Sequence, residues 1–291
     1  MQEKTTPAVN PGEDKFILLN GLRFHYVSWG YASLPPLVCL HGLRSYGQTY
    51  GPLATTLMDR FHVIGIDQRG RGQTAWDPEQ GYYTDRYVAD LECLVDQLGF
   101  DKFHVLGHSM GGTNSLVYAN KHPDRLASII LEDAGPGAWN QSRGASRINI
   151  ELQNTPITFD SWAAARAFWR SIRPNVTEDA IDSRVTNSLI ETAAGITWKH
   201  DQAGITACRL HPDPLREPPD LWPCVEAIAC PTLVLRGEAS DYLSRTTYTE
   251  MLQRNTLLQG VEIDGAGHYV HDDQPTQFIG AVNTFLDARI E

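Results

Sequence analysis

Phe103-His104-Val105-Leu106-Gly107-His108-Ser109-Met110-Gly111-Gly112 is the stretch on which the reading of this chain turns. A G-x-S-x-G pentapeptide by itself arises by chance about once in ten chains of this length at average glycine usage, so its weight comes from its surroundings. An apolar run leads straight into it, and a helical pattern carrying Leu116, Val117 and Ala119 leaves it. Strand, tight turn and helix in that order present the central side chain at the carboxyl edge of a sheet, while small flanking residues let backbone segments approach closely. Ser109 is therefore the candidate nucleophile. The competing reading is a serine that only caps the following helix.

A serine hydroxyl is a poor nucleophile at neutral pH and needs a base within hydrogen-bond reach, itself oriented by an acid. Of ten histidines, His268 in Asp264-Gly265-Ala266-Gly267-His268-Tyr269 is the best placed, because it follows the strand-like Val261 to Ile263 on a glycine-rich loop before the last helix. A metal pair of His268 with His271 has no third ligand cluster beside it in the sequence, so no metal or organic cofactor is expected. His41-Gly42-Leu43 closes the apolar run Leu37 to Leu40. A glycine there frees the backbone, so the N–H groups of Leu43 and Met110 can face the oxyanion of a tetrahedral intermediate. The alternative is a plain turn glycine with His41 as a polar plug in the core.

Further out, strand and helix patterns alternate. Phe16 to Leu19 and Leu22 to Trp29 flank Asn20-Gly21, a favoured hairpin turn. Leu37 to Leu40, Phe61 to Ile66 and Phe103 to Leu106 read as buried strands. Between them, Tyr50 to Met58 and Asp85 to Leu98 have helical spacing. The alternation resumes with the helix Thr113 to Asn120, the strands Leu126 to Leu131 and Thr232 to Leu235, and a last helix from Thr276 to Asp287. This order predicts an α/β fold, a mostly parallel central sheet with helices on both faces.

The pattern breaks between Gly137 and Trp222. That stretch shows no good strand but at least two helices, one capped by Asp160 or Ser161 and ended by Pro174, the next capped by Thr177. Five of the seven tryptophans (139, 162, 169, 198 and 222) fall in it, and prolines 212, 214, 218, 219 and 223 mark its exit. Residues 137–222 read as an inserted helical lid over a core made of 1–136 and 223–291, with an aromatic, water-poor pocket beneath. A run of structural helices beside the sheet is the plainer alternative, since those also need tryptophan to pack.

Composition narrows the function. The 291 residues are about twice the length prior for one domain, which suits one large unit with an insertion. A formal charge of −11 offers no footprint for nucleic acid or an anionic membrane, so the expected partner is a small-molecule substrate. No apolar run approaches the ~20 residues of a membrane helix. Residues 1–14 read as a frayed tail without a signal-like apolar region, so a cytoplasmic location is expected. A homodimer is compatible with the chain, although nothing marks a partner surface. Cysteines 39, 93, 208, 224 and 230, odd in number and irregular in spacing, read as small core residues rather than a disulfide framework.

Ser109, an acid and His268 in that order resemble the α/β-hydrolase superfamily over nearly the whole chain. Asp67-Gln68-Arg69-Gly70-Arg71-Gly72 looks like the family's loop after its third strand, and Arg236-Gly237-Glu238-Ala239-Ser240-Asp241 like a later strand end. Within the family the likeness is to bacterial serine hydrolases of the 2-(acetamidomethylene)succinate hydrolase group. It is carried by Gly107-His108-Ser109, Leu131-Glu132-Asp133, Arg236-Gly237-Glu238 and Gly267-His268-Tyr269-Val270. Most family members place the acid after the strand ending here at Arg236, which points to Asp241; that group places it after the strand ending at Leu131, which points to Asp133. Asp133 lies 24 residues after Ser109, as in the group, and is preferred, with Asp241 kept as the alternative acid.

The resemblance implies acyl transfer to water. Dehalogenases and epoxide hydrolases of this fold carry an aspartate at the nucleophile position, where a serine would form an ether with no exit. An ester, a lactone or an amide fits; a carbon–carbon bond hydrolase of vinylogous diketones and a slow-turnover ligand receptor on the same scaffold are the alternatives. Arginines 143, 147, 166, 170, 173 and 184 all fall in the insertion. Arg147 aligns with a carboxylate-binding arginine of the group, which points to a carboxylate-bearing substrate, whereas Ile172 and Arg173 replace the group's Arg-Tyr pair.

Overall fold

A computed structural model describes residues 9–289. Strands β1 (Glu13–Leu19), β2 (Leu22–Trp29), β3 (Pro36–Leu40), β4 (His62–Ile66), β5 (Phe103–His108) and β6 (Leu126–Glu132) come first in the chain. After the insertion, which holds β7 (Thr158–Phe159), β8 (Leu189–Thr192) and β9 (Gly195–Trp198), the sheet is completed by β10 (Thr232–Gly237) and β11 (Leu258–Ile263). The central sheet has the order β1-β2-β4-β3-β5-β6-β10-β11. β1 and β2 pair antiparallel, as do β2 and β4, and every later neighbour is parallel. Of the stretch 1–14 read as a tail, residues 1–8 lie outside the described part. Glu13 and Asp14 open β1, held there by pairing with Ser28 and Val27.

The parallel strands are apolar on both faces because both are covered. With α1 at residues 51–57, α2 at 84–97 and α3 at 110–121, Val38, Leu40, Val105, Ile129, Leu131 and Val234 face a core shared with α2 and α3. The alternating residues Leu37, Cys39, Leu106, Ile130, Leu233 and Leu235 meet Leu53 and Leu57 of α1 on the opposite face, together with Phe278, Val282 and Phe285 near the carboxyl end. All five cysteines are free, three of them buried.

The insertion is not wholly helical. It contains α4 (138–141), α5 (143–154), α6 (162–172), α7 (178–188) and α8 (202–210), and its strands form a separate antiparallel sheet in the order β7-β9-β8. Strands of two to four residues are too short to show a period, which is why the sequence reads as helix and loop there. Ser161 caps α6 and Thr177 caps α7 through their side-chain oxygens. Phe159, Trp169, Ile181, Ile196 and Trp198 make a core private to this unit. Two short helices, α9 (222–226) and α10 (245–254), flank β10, and α11 (270–273) and α12 (275–287) end the described chain. No described helix is long and apolar enough to cross a membrane.

Candidate active site

Ser109 stands between β5 and α3 at φ +54°, ψ −114°, a conformation that costs a non-glycine residue of order 1–3 kcal/mol. The surroundings enforce it. The Ser109 N–H donates to the Glu132 carbonyl at 3.0 Å, and Thr113 N–H donates to the Ser109 carbonyl at 3.0 Å to start the helix. The backbone of Gly111 passes so close to β3 that a Cβ there would meet the Leu40 oxygen at 2.0 Å. The Ser109 side chain makes no capping bond. Its Oγ lies 3.0 Å from His268 Nε2 instead.

His268 sits on the loop between β11 and α11. That loop is tied by Ala239 N–H to the Ala266 carbonyl (2.9 Å) and by Gly267 N–H to Asp273 Oδ2 (2.8 Å). His108 Nε2 donates to the His268 carbonyl at 2.9 Å, so the residue before the serine also holds the histidine's backbone. The imidazole stacks on Tyr242, centroids 4.1 Å apart, and its Nδ1 lies 2.7 Å from Asp133 Oδ2. A carboxylate there accepts from Nδ1–H, which leaves Nε2 as the acceptor for the Ser109 hydroxyl. Burial, reinforced by the charge of Arg147, pushes the His268 pKa down to about 3, so the resting ring is neutral.

Asp133 follows β6 at φ +46° with its N–H on the Leu235 carbonyl at 2.8 Å. Burial raises its carboxyl pKa, against the opposing influence of the Ser240 hydroxyl, the Gly237 N–H and the Arg236 charge. Ser240 Oγ donates to Oδ2 at 2.6 Å, and is itself positioned by the N–H groups of Tyr242 (3.1 Å) and Leu243 (3.2 Å). Sequence reading missed both Ser240 and Tyr242. The only available signal was their place beside the Arg236–Asp241 strand end.

Asp241 is elsewhere engaged. Arg147 grips it in two-point fashion, Nε to Oδ2 at 2.8 Å and Nη2 to Oδ1 at 3.0 Å. Burial works to raise the Asp241 pKa, but this pairing holds it below the ordinary carboxylate value. The third arm of Arg147 donates to Glu151 at 2.6 Å. With its donors on two carboxylates and its side chain off the wall of the cavity described below, Arg147 is not placed to receive a substrate carboxylate, contrary to the expectation from the sequence. Arg166 and Arg170 pair with surface acids, while Arg173 and Arg184 are buried against Glu151 and Asp272.

Leu43, three residues beyond β3, and Met110, the first residue of α3, line one cavity with Ser109. The Met110 N–H belongs to the first helical turn, whose donors have no partner within the helix. Arg71 Nε donates to the Leu43 carbonyl at 3.1 Å and braces that loop. A Cβ on Gly42 would meet His108 Nδ1 at 2.7 Å, so the chain can pass there only without a side chain. His41 is a buried plug: Nδ1 donates to the Gly42 carbonyl (2.7 Å), Nε2 accepts from Gln68 N–H (3.0 Å), and burial lowers its pKa to about 4.

The cavity measures about 1040 Å³. Of the insertion's five tryptophans, Trp139 and Trp222 line it; Trp169 and Trp198 fill the insertion's own core, and Trp162 is exposed. Beneath the serine turn, His108, Glu132 and His271 bring donor atoms within 4.8 Å of one another, a set with metal-ligand chemistry among the described residues. His271 Nδ1 lies 2.6 Å from Glu132 Oε1, and its backbone N–H donates to the same oxygen at 2.9 Å. His268 and His271 thus contact separate carboxylates, Asp133 and Glu132.

The profile of the alpha/beta hydrolase fold family matches residues 35–275. The chain belongs to this family. It is 30% identical over 258 residues to 2-(acetamidomethylene)succinate hydrolase of Mesorhizobium japonicum, covering 87% of this chain and 88% of that one. It is 29% identical to 3-hydroxybutyrate-oligomer hydrolase of Cupriavidus necator, covering 91% and 94%. The crystal structure of E-2-(acetamidomethylene)succinate hydrolase superposes with a TM-score of 0.84 at 26% identity, over 94% of this chain and 99% of that one. Hydrolysis is the chemistry these relatives share.

Proposed function

We propose that the protein is a serine hydrolase that cleaves an ester, lactone or amide of a small, carboxylate-bearing substrate through an acyl-enzyme. The chain of contacts from Ser109 Oγ to His268 Nε2 (3.0 Å) and from His268 Nδ1 to Asp133 Oδ2 (2.7 Å) carries this reading. Ser109 Oγ forms a bond to the acyl carbon as its proton passes to His268 Nε2, and the carbonyl π pair moves to the oxygen, facing the N–H groups of Leu43 and Met110. Asp133 stabilises the resulting imidazolium. Collapse breaks the bond to the leaving group, which takes the proton from His268. Water then repeats the sequence and frees the acid and Ser109. Asp133, not Asp241, is the orienting acid.

The test is hydrolysis of 4-nitrophenyl hexanoate by the wild type and Ser109→Ala. A loss of about 10⁴-fold or more in kcat is expected, the scale on which removing one member disables such a unit. Turnover by Ser109→Ala at the wild-type rate would overturn the proposal.

A further inference from the structure

Three arginines border the cavity, and two are accounted for. Arg216 pairs with Asp85 at 2.7 Å. Arg71 is wholly buried, and its donors go to the Leu43 and Arg69 carbonyls and to Tyr87. Arg209, on α8, is different. Nε donates to Asn149 Oδ1 at 2.9 Å, Nη2 donates to the Trp139 carbonyl at 2.5 Å, and the guanidinium carbon lies 3.9 Å from the centre of the Trp139 ring. These contacts fix the plane of the group without neutralising it. Among the described residues no carboxylate pairs with Arg209, and its Nη1 has no hydrogen-bond partner.

A half-buried cation held in one plane with its charge unmatched is a poor stabilising device and a good receptor for an anion. The cost is visible: burial lowers the Arg209 pKa, with only Tyr242 opposing. Tyr242 also relates Arg209 to the reaction centre, since its ring stacks on His268 and both Ser109 and the Arg209 charge act on its buried phenol. The cavity's remaining acids include Asp85, Glu217 and Asp220, which are exposed to water at the rim. Arg71 is a second interior cation without a carboxylate partner, but each of its nitrogens already donates within the protein. Among the described lining residues Arg209 is the arginine that is both uncompensated and open on one edge, which suits a single negative charge better than a phosphoryl dianion. The surface around Trp139, Ile148, Ile205 and Tyr242 is apolar and suits a hydrocarbon spacer.

We propose that Arg209 is the anchor for a substrate carboxylate, gripped through the Nη1/Nη2 edge while the far end of the same acyl chain is attacked by Ser109. The substrate class is then a monoanionic ω-carboxyacyl ester or amide, and the anchor is Arg209 on α8 rather than Arg147 on α5. This inference rests on the hydrolase reading above and adds the residue that selects the acyl group.

The test compares mono-4-nitrophenyl adipate with 4-nitrophenyl hexanoate, esters of similar length that differ in the terminal charge. The ratio of their kcat/KM values within one protein cancels any loss of folded enzyme. Arg209→Met is expected to lower the adipate-to-hexanoate ratio by about 10- to 100-fold, the range of a charge-assisted hydrogen bond. Arg209→Lys should restore part of it, because an ammonium keeps the charge but not the planar fork. An unchanged ratio would overturn the anchor. Calorimetric titration of Ser109→Ala with 6-hydroxyhexanoate, a monoanion with no bond to cleave, gives a readout free of turnover: at least tenfold weaker binding after adding Arg209→Met supports the anchor, and equal binding overturns it. If Ser109→Ala hydrolyses both esters like the wild type, the hydrolase reading fails, and the titration alone still decides the anchor.

Discussion

Two carboxylates compete for one role near His268, and their neighbours separate them. Asp133 is turned toward Nδ1 by its left-handed backbone and by hydrogen bonds from Ser240 and Gly237, whereas both oxygens of Asp241 are held by Arg147. Asp133→Asn is expected to lower kcat by about three to four decades, since an amide fixes the wrong tautomer. Asp241→Asn should lower it by less than tenfold. Steady-state kinetics on the two variants check this, and the reverse order would move the acid to Asp241. Ser109 and His268 were legible because each sits in a local motif, a strand-to-helix turn and a glycine-rich loop. The choice of acid stayed open because it depends on Ser240, which meets Asp133 across 107 residues of sequence.

At the scale of elements, the core strands were legible because burial on both faces leaves continuous apolar runs between turn residues. The small sheet β7-β9-β8 was not, because its strands end before any alternation is established. The insertion's arginines were visible but their partners were not. Most join the insertion to the core or brace it internally: Arg147 reaches Asp241, Arg184 reaches Asp272, and core Arg44 reaches Glu151 at 2.6 Å. Breaking a buried pair by removing one partner costs about 3–5 kcal/mol. Arg184→Met should therefore destabilise the protein by about 3 kcal/mol in urea unfolding, the low end because His271 also faces Asp272 at 3.7 Å. A change under about 0.5 kcal/mol would show that the contact between insertion and core does not need this pair.

Across the whole molecule, β5, β6, α7 and α11 converge under the reaction centre on His108, Glu132, Arg184, His271 and Asp272. Burial disfavours a charged His271, but Glu132 and Asp272 outweigh it and raise its pKa from 6.5 to about 9. A histidine with a raised folded-state pKa adds stability that is complete below the unfolded value and is lost as pH rises through the folded one. The melting temperature should fall between pH 6.5 and 9, and His271→Asn should flatten that slope; a wild-type curve already flat over this range would contradict the assignment. The central claim is that remote parts of the chain converge to make one hydroxyl reactive. Its most direct test is intact-mass and peptide mapping after treatment with a fluorophosphonate. A single adduct on Ser109, formed at least a hundredfold more slowly in His268→Ala, is predicted; an adduct on another residue, or equal labelling of Ser109 without the imidazole, would contradict it.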